Sequence, residues 1–442
     1  MSKPNTSHDP EPQWAAFIAV DWGDKKHHWK LREVATGKEE AGVLENRPEE
    51  LDRWAGELRD RFQEQPIALC LEQSRGAVVY QLSKYQWVTL YPVHTTVAAR
   101  YREMFYPSGA KNDPLDAAAL LDLLVNHRGK LRRLDPDTAE TRELQILVEQ
   151  RRAFVDSRTA WSNRLRTCLK EYFPQVLSWI EDIDSPLGCD FLEAWPSLAA
   201  VQRAHPGTLN KFFLSHNCRS QRRIQERING IYQATPATRD AAILAAGPRI
   251  VSALVAAIRP LTKNIKELDQ RILELVQAHP ETDLFAKLPG AGPVLLPRLI
   301  VAFGTKRERY SCADDLESYS GIAPVEVKSG RLRWVHFRRA CPKFLRQTFH
   351  EFAAHSTAKS AWAKAHYDLK RSEGKKHHAA VRSLAFKWIR VLYRCWRDRI
   401  PYDEQLYLTT LQKRNSPLLR FLATNAEWTT VAGFQKLSPK KA

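Results

Sequence analysis

Four acidic residues in the first quarter of the chain have types and spacings that suit metal-dependent chemistry on a phosphodiester. Asp21 and Glu72 each directly follow a short apolar run, and Asp113 and Asp116 lie together in the segment Lys111–Ala117. Carboxylates held close together repel one another unless a cation lies among them. Mg²⁺ is the usual cation for an all-oxygen site and keeps positions for phosphate and water, with Mn²⁺ as the alternative. The four acids therefore predict a divalent-metal site.

The same acids also have a purely structural interpretation. An Asp at a strand end is often a turn residue or a cap, and Asp113, Pro114 and Asp116 match the N-cap, N1 and N3 positions of a helix start. For that segment alone, capping is the better explanation. The two roles are compatible, because one helix start can both cap and bind a metal. Glu72 favours a site more strongly, since a carboxylate after an apolar strand is costly to bury unpaired.

A second candidate lies at Ser329, inside the segment Val325–Val335. Ser329 and Gly330 separate two short predicted strands, and such a dipeptide is usually just a hairpin turn. No neighbouring His or Asp completes a catalytic triad. The neighbours are instead cationic, and Lys328, Arg331 and Arg333 would suit an attacked phosphate and its transition state.

Composition limits the class of protein. A chain of 442 residues is expected to form two or three domains, and a hydrophobic fraction of 43% with 13 Trp is enough for real cores. The formal charge of +18 indicates a polyanionic partner, either nucleic acid or an anionic membrane surface. Between Gly321 and Ile400 there are 19 Lys and Arg against 5 Asp and Glu. Aromatic residues are interleaved there, and we expect most of them in a core, with the basic excess facing phosphates.

Targeting and redox signals are weak. Residues 1–13 are polar and lack the apolar stretch of a signal peptide, so we predict a short disordered lead-in. No apolar run approaches the roughly 18 residues that span a bilayer. The seven Cys are odd in number and form no C-x-x-C pair, which argues against a disulfide framework or a zinc ribbon. The adjacent pairs His27-His28 and His377-His378 also lack a metal-ligand spacing, and we expect them at the surface or facing phosphates. Reduced thiols in the cytoplasm are the simplest interpretation.

Periodicity predicts an α/β domain over residues 14–137. The predicted elements, in order, are strands Ala15–Asp21, His28–Val34 and Gly42–Glu45, helix Pro48–Phe62, strand Ile67–Leu71, helix Ala77–Lys84, strand Trp87–Tyr91, and helices Val97–Met104 and Asp113–Asn126. This order, β-β-β-α-β-α-β-α followed by one further helix, is that of the ribonuclease-H-like fold. In that fold an acid on the first strand, one on the fourth and one or two on a late helix converge.

The rest of the chain is predicted to be mostly helical. Over 138–285, Leu261, Ile265, Leu268, Ile272 and Leu275 follow heptad spacing, which suits either an intramolecular helix pair or a dimer. The stretch Asp182–Thr208 is rich in Pro and Gly and is predicted to be a loop or insertion. Over 286–400, Leu288–Val294 is either a helix-hairpin-helix turn that binds phosphate or a plain turn between helices. Basic helices follow at Lys343–His355 and His378–Arg397, and residues 401–442 form a C-terminal extension.

With these motifs in hand, the chain resembles the IS110 family of insertion-sequence transposases, DEDD recombinases described as guided by a bridge RNA. The similarity covers about residues 15–170, with the four acids, and about 285–375, from Leu288 through Gly321-Ile-Ala-Pro324 to Ser329. The second block is the more specific. The resemblance implies a RuvC-like DEDD domain, a coiled-coil linker and a C-terminal transposase domain.

The resemblance also implies roles. Asp21, Glu72, Asp113 and Asp116 would bind Mg²⁺, and Ser329 would attack DNA to give a covalent phosphoserine. The site would be composite, with acids from one protomer and the serine from another of a homodimer or homotetramer. Asp24 departs from the family pattern and would compete as a metal ligand. The expected nucleic-acid contacts, to donor and target DNA and a structured RNA, are Lys111, Lys328, Arg331, Arg333, Arg338, Arg339, Lys343 and Arg346.

Three hypotheses remain open at this level. The first is a site-specific recombinase, bacterial and nucleoid-associated, that uses Ser329. The second is a RuvC-like nuclease or junction resolvase that uses water and forms no covalent adduct. The third is a nucleic-acid-binding protein without catalytic activity, whose acids are only structural caps. A membrane-surface role ranks last, because no long amphipathic basic helix stands apart from the predicted domains.

Overall fold

The computed structural model describes residues 12–105, 113–418 and 421. The chain divides between Pro136 and Asp137 into two compact units. We call residues up to Pro136 the smaller unit and those from Asp137 the larger unit. The smaller unit is mixed α/β and the larger is mostly helical, which confirms the predicted fold class at this level.

The smaller unit is built on one five-stranded sheet. Its elements are β1 (Ala16–Asp21), β2 (Lys26–Glu33), β3 (Glu39–Glu45), α1 (Pro48–Phe62), β4 (Ile67–Leu71), α2 (Ala77–Leu82), β5 (Val88–Pro92), α3 (Thr95–Phe105) and α4 (Asp113–His127). The strand order is β3-β2-β1-β4-β5. β1 pairs antiparallel with β2 and parallel with β4, and β4 pairs parallel with β5.

The predicted order of elements is confirmed, and α1 and β4 have the predicted bounds. The largest difference is in β3, which begins at Glu39 rather than Gly42. Its first residues are acidic and therefore give no apolar signal. They belong to the strand because it pairs along β2, where Lys30 forms an ion pair with Glu39 at 2.8 Å.

The two faces of the sheet carry different side chains. Ile18, Val20 and Leu69 pack with α1 on one face, in a core that includes Trp54 and Leu58. The opposite face is lined by the smaller residues Ala19, Ala68 and Cys70. These residues pack with Leu120, Leu121 and Leu124 of α4. Small side chains let α4 lie close to the strands. Because side chains alternate along a strand, Asp21 continues the α4 face.

The larger unit contains long helices and one short ribbon. Its elements are α5 (Ala139–Tyr172), α6 (Val176–Trp179), α7 (Pro186–Ala194), α8 (Leu198–Gln202), α9 (Pro206–Ser215), α10 (Gln221–Gln233), α11 (Ala241–Ala278), α12 (Thr282–Ala286), α13 (Gly292–Phe303), α14 (Ala313–Tyr319), β6 (Val325–Ser329), β7 (Leu332–His336), α15 (Lys343–Ser356), α16 (Ala361–Ser372), α17 (His377–Asp398) and α18 (Glu404–Lys413).

The predicted heptad seam lies on α11 and packs within the chain. Ile272 and Leu275 share a core with Leu144 and Val148 of α5. The guanidinium of Arg151 also forms an ion pair across this helix pair. The seam therefore serves an intramolecular helix pair, one of the two alternatives that the spacing allowed.

The prediction of a loop over Asp182–Thr208 is wrong. Helices α7, α8 and the start of α9 lie there. Pro186 and Pro206 occupy the first turn of α7 and α9, where a missing backbone N–H costs nothing. Ser185 and His205 cap these helices with their side chains. The prolines start helices here rather than interrupting them.

Helix α11 is also long and apolar enough, by length and composition, to cross a membrane. Polar residues such as Arg249 and Ser252 divide its apolar positions, so the sequence contains no continuous apolar run there. In the structure Val251, Val255 and Ile258 of α11 are buried in the core of the larger unit. Of the apolar window of this helix 28% is buried, so the packing covers only part of its apolar surface.

The carboxyl-terminal part of the larger unit is held by three buried tryptophans, Trp362, Trp388 and Trp396. Each indole N–H is satisfied: Trp362 donates to Tyr402 at 2.8 Å, Trp388 to a serine hydroxyl at 2.8 Å, and Trp396 to a backbone carbonyl at 2.7 Å. Tyr402 and Leu411 belong to the same core. The described residues beyond 400 thus contribute to this core. All seven cysteines lie within the described ranges and are free thiols.

Leu144→Ala should destabilise the α5–α11 pair. Leu144 is fully buried, and truncating a buried Leu to Ala costs about 2–5 kcal/mol. Ile146 on the same helix is 58% exposed, so Ile146→Ala is the matched control and should change stability by about 0.5 kcal/mol or less. Urea unfolding followed by loss of helical circular dichroism measures both. Equal midpoints for the two variants would contradict this packing.

Candidate active site: the acidic edge and the serine hairpin

The first candidate site lies where β1 and β4 end and α4 begins, and we call it the acidic edge. The parallel register of β1 and β4 ends with Val20 opposite Leu71, so Asp21 and Glu72 are the next residues along two neighbouring strands. Neighbouring strands lie about 4.8 Å apart. Asp21 continues the face on which α4 packs, and Glu72 directly follows the neighbouring strand, so both acids stand at the same edge of the sheet.

Helix α4 adds the other two acids. Asp113 begins the helix with a side chain that is 61% exposed, and Asp116, in the first turn, is only 7% exposed as a residue. His28 is paired with Asp21 across β1 and β2, and its Nε2 lies 3.5 Å from Asp113 Oδ2. Asp113 therefore lies beside His28, the residue that pairs with Asp21 across the two strands.

A cation that sequence reasoning missed completes the acidic edge. Arg102, from α3, forms an ion pair with Asp116, and both side chains are largely buried. The pKa of Arg102 is raised, chiefly by the hydrogen bond to Asp116 and in smaller part by the charges of Asp116, Glu103 and Glu72. The guanidinium therefore contacts Asp116, and the charge of Glu72 also acts on it. An acidic cluster implies a counter-cation, but nothing in the sequence distinguishes Arg102 from Arg100.

The acidic edge has the donor chemistry of a hard-cation site. Its candidate ligands are carboxylate oxygens, which suit Mg²⁺ or Mn²⁺. Within the described ranges, no three His, Cys, Asp or Glu side chains are arranged to hold a metal ion. Asp116 is engaged by Arg102 instead, so a metal would have to exchange with that guanidinium. Asp24 is exposed in the loop after β1, and its backbone carbonyl accepts a 2.9 Å hydrogen bond from the Asn46 side chain.

The second candidate site is a two-stranded ribbon, β6–β7, which we call the serine hairpin. Ser329 ends β6 and pairs with Leu332, so Gly330 and Arg331 form a two-residue loop. Gly330 has φ +56°, a value that favours glycine. The side chain directly opposite Ser329 is therefore that of Leu332. His336, at the far end of β7, is four residues from Leu332, or about 13 Å along the strand at 3.3 Å per residue.

The base of the serine hairpin is clamped. Gly321 has φ +74°, and a Cβ there would lie 2.3 Å from Cys341 Sγ, so only glycine fits where the two ends meet. Arg338 donates to the carbonyl of Ala323 at 3.3 Å, and Arg346 to the carbonyl of Arg338 at 3.3 Å. These contacts fix the direction in which the hairpin projects.

The cations predicted to contact nucleic acid occupy different surroundings. Lys328 and Arg333 pair with each other in the register, on the face opposite Ser329, and both form ion pairs with Glu326. Arg338 and Arg346 are half-buried and bonded to backbone carbonyls. Lys111 lies outside the described residues. The exposed members of the set are Lys328, Arg331, Arg333, Arg339 and Lys343.

The turn before α13 opens onto a basic cavity. Gly290 has φ +84° and lies between α12 and α13, and Gly292, with φ +52°, is the first residue of α13. A cavity of about 670 Å³ beside them is lined by Lys287, His355 and Lys359, among others. The geometry is compatible with both alternatives for this turn.

The histidine pairs differ from one another. His27 was expected at the surface, and that prediction is wrong: it is fully buried, and burial lowers its pKa. Its neighbour His28 contacts Asp113, because successive residues of β2 point to opposite faces. His377 and His378 are exposed, as predicted, and His377 Nδ1 lies 2.8 Å from the hydroxyl of Tyr367.

Two family models match the chain. One, described as "Transposase" and named for DEDD transposases of IS110, matches residues 18–174, which include the four acids. The other, described as "Transposase IS116/IS110/IS902 family", matches residues 282–368, which include Ser329.

Curated relatives agree with these matches. A mini-circle putative transposase for IS117 from Streptomyces coelicolor is 26% identical over 89% of this chain and 97% of its own length. An IS110 protein of the same organism is 26% identical over 68% of this chain and 74% of its own length. A pilin gene-inverting protein from Moraxella bovis is 38% identical over 16% of this chain and 24% of its own length.

Arg102→Gln should destabilise the smaller unit, because it leaves the buried Asp116 carboxylate without its cation. A hydrogen bond to a charged group is worth about 1.5–3 kcal/mol, so we expect a loss of about 2 kcal/mol. Arg100→Gln is the matched control, since Arg100 is exposed on the same helix. Thermal unfolding in metal-free buffer measures both. A variant as stable as the control would show that the ion pair does not hold this edge together.

Proposed function

Because the chain belongs to the IS110 family of DEDD transposases, we propose how its two candidate sites carry out the DNA cleavage and rejoining of that family. The proposed mechanism is a metal-assisted attack by Ser329 on a DNA phosphodiester, guided by a structured RNA. The observation that supports the metal site is the position of Asp21 and Glu72 at the ends of neighbouring parallel strands, against which α4 packs.

The smaller unit supports a RuvC-like assignment. Its strand order is β3-β2-β1-β4-β5, in which β1, β2 and β3 pair antiparallel and β4 pairs parallel with β1 and β5. This topology is the one expected for a ribonuclease-H-like domain. The acids stand on the first strand, after the fourth strand and on the last helix, which are the positions that this fold uses.

Asp21, Glu72, Asp113 and Asp116 would hold Mg²⁺ or Mn²⁺. When bound, the metal would polarise the scissile phosphate and stabilise the charge that develops on it. The residues of the chain have their own tasks. Asp116 must release Arg102 to become a ligand. His28, 3.5 Å from Asp113 Oδ2, would orient that carboxylate.

Ser329 would supply the nucleophile. Its hydroxyl oxygen would form a bond to phosphorus, the bond to one deoxyribose oxygen would break, and the serine proton would pass to solvent while the leaving oxygen gains one. Arg331, at the exposed tip beside Ser329, would stabilise the developing phosphate charge. A hydroxyl on a hairpin tip can approach a phosphate without steric hindrance.

Acids and serine would come from different protomers of a homodimer or homotetramer that holds donor and target DNA. The bacterial nucleoid would then be where the protein acts. The guide would be a structured RNA transcribed from the flanks of the element, and the net charge of +18 is compatible with binding both nucleic acids. Multi-angle light scattering with and without this RNA tests the assembly.

The decisive test is a denaturing gel for a covalent protein–DNA adduct. The reaction contains Mg²⁺, DNA carrying the flanks of the element and RNA transcribed from them. Wild type should form the adduct, and Ser329→Ala should abolish it because the attacking oxygen is missing. Asp21→Asn should reduce it at least 100-fold, since loss of catalytic charge stabilisation costs about 10²–10³ in rate.

Matched controls keep this test specific. Ser372→Ala and Asp60→Asn remove the same groups from exposed positions far along the chain from either site, and both should retain the adduct. Cleavage without an adduct, preserved in Ser329→Ala, would favour the hydrolytic nuclease. Full activity of Asp21→Asn would refute the metal site. Adduct formation without RNA would refute the guide.

A further inference from the structure

The serine hairpin presents an apolar face in the most basic part of the chain. In the register, Ser329 is opposite Leu332 and Val327 is opposite Trp334, so these four side chains share one face. Leu332 is 68% exposed and Trp334 is 47% exposed. A two-stranded ribbon with an uncovered Trp gains little stability in water. These side chains are therefore placed for a ligand rather than for the core.

The cations are segregated from this face. Lys328 and Arg333 lie on the opposite face, and Arg331 lies at the tip. Such a ribbon has one face that suits flat apolar groups and edges that suit phosphates. Nucleic acid offers both, as stacked bases flanked by a charged backbone.

Distances along the ribbon connect this face with the scissile phosphate. Directly opposite residues have Cβ atoms about 5 Å apart, and diagonal ones about 7 Å apart. Leu332 is directly opposite Ser329, and Trp334 is diagonal to it. If Ser329 contacts a phosphorus atom, Trp334 lies within one nucleotide of it. Leu332 then lies between them, against the sugar.

We propose that Trp334 is a positioning residue that stacks on the base next to the scissile phosphate, in a base step opened at the cleavage site. The inference rests on the proposed role of Ser329. An indole stacked on one base fixes the distance between that nucleotide and the serine hydroxyl, so the phosphate is presented to Ser329. Insertion of apolar side chains between bases is an established way to open a step.

Photocrosslinking tests the contact without relying on activity. The full chain carrying Ser329→Ala is bound to RNA and to uncleaved DNA that contains 5-iododeoxyuridine at the first nucleotide on either side of the cleavage position, which is mapped with wild-type protein. Near-ultraviolet light should crosslink one of these positions to Trp334, as identified by mass spectrometry. The additional change Trp334→Ala should abolish the crosslink.

Val335→Ala is the matched control, because Val335 is 58% exposed on the opposite face of the same strand. It should retain the crosslink. In the wild-type background, Trp334→Ala should weaken DNA binding about tenfold, which is within the range for loss of one stacked base. Trp334→Phe should restore most of that affinity, and Val335→Ala should bind as wild type does.

The outcomes separate the two proposals. An adduct that survives Ser329→Ala overturns the nucleophile, whatever Trp334 does. An adduct that needs Ser329, with no crosslink at either position and equal DNA affinity in Trp334→Ala and Val335→Ala, overturns the stacking role alone. A Trp334→Ala variant that changes the oligomeric mass but not DNA affinity would assign this face to a protein contact and also overturn it.

Discussion

The parallel pairing of β1 with β4 is the constraint on which the acidic edge depends. It brings two chain segments that are fifty residues apart in sequence to the same sheet edge, and both end in a carboxylate. The small side chains of Ala19 and Cys70 let α4 approach this face, and Asp113 and Asp116 lie in the first turn of that helix. Such a concentration of negative charge would be unstable without a cation, and Arg102 supplies one.

The larger unit carries an excess of positive rather than negative charge. Its surplus of positive charge is kept at the surface, while aromatic residues from the same stretch of sequence fill the core. Trp362, Trp388 and Trp396 are fully buried with their N–H groups bonded. Trp334 remains outside. Phe337, just beyond β7, lies between the guanidinium groups of Arg346 and Arg382, at 4.6 and 5.0 Å from its ring.

Sequence alone predicted the elements that carry a strong apolar period. Helix α1 and strand β4 were predicted to the residue, because their buried positions are regularly spaced. The region Asp182–Thr208 was misjudged, since Pro at a helix start and Pro in a loop look alike without the N-cap contact. Arg102 was missed because its partner Asp116 lies fourteen positions away on another helix. The four acids could be found, but the ion pair among them is a tertiary feature.

The positions of the hairpin cations could not be read from sequence either. Lys328 and Arg333 appear close to Ser329 in the linear chain, yet the alternation of a strand turns Lys328 to the other face, and cross-strand pairing places Arg333 beside it. Only the register distinguishes these residues from Arg331 at the tip. A one-residue shift in that register would exchange the two faces.

The contact between Gly321 and Cys341 holds the base of the ribbon, while the ribbon itself stays outside the hydrophobic core. None of the residues between Val325 and His336 belongs to the buried cluster of the larger unit. Substitutions along the ribbon therefore leave the folding free energy of that unit almost untouched. Such a segment can accumulate changes quickly during evolution. The surface of the ribbon can thus change while the unit that carries it keeps the same stable scaffold.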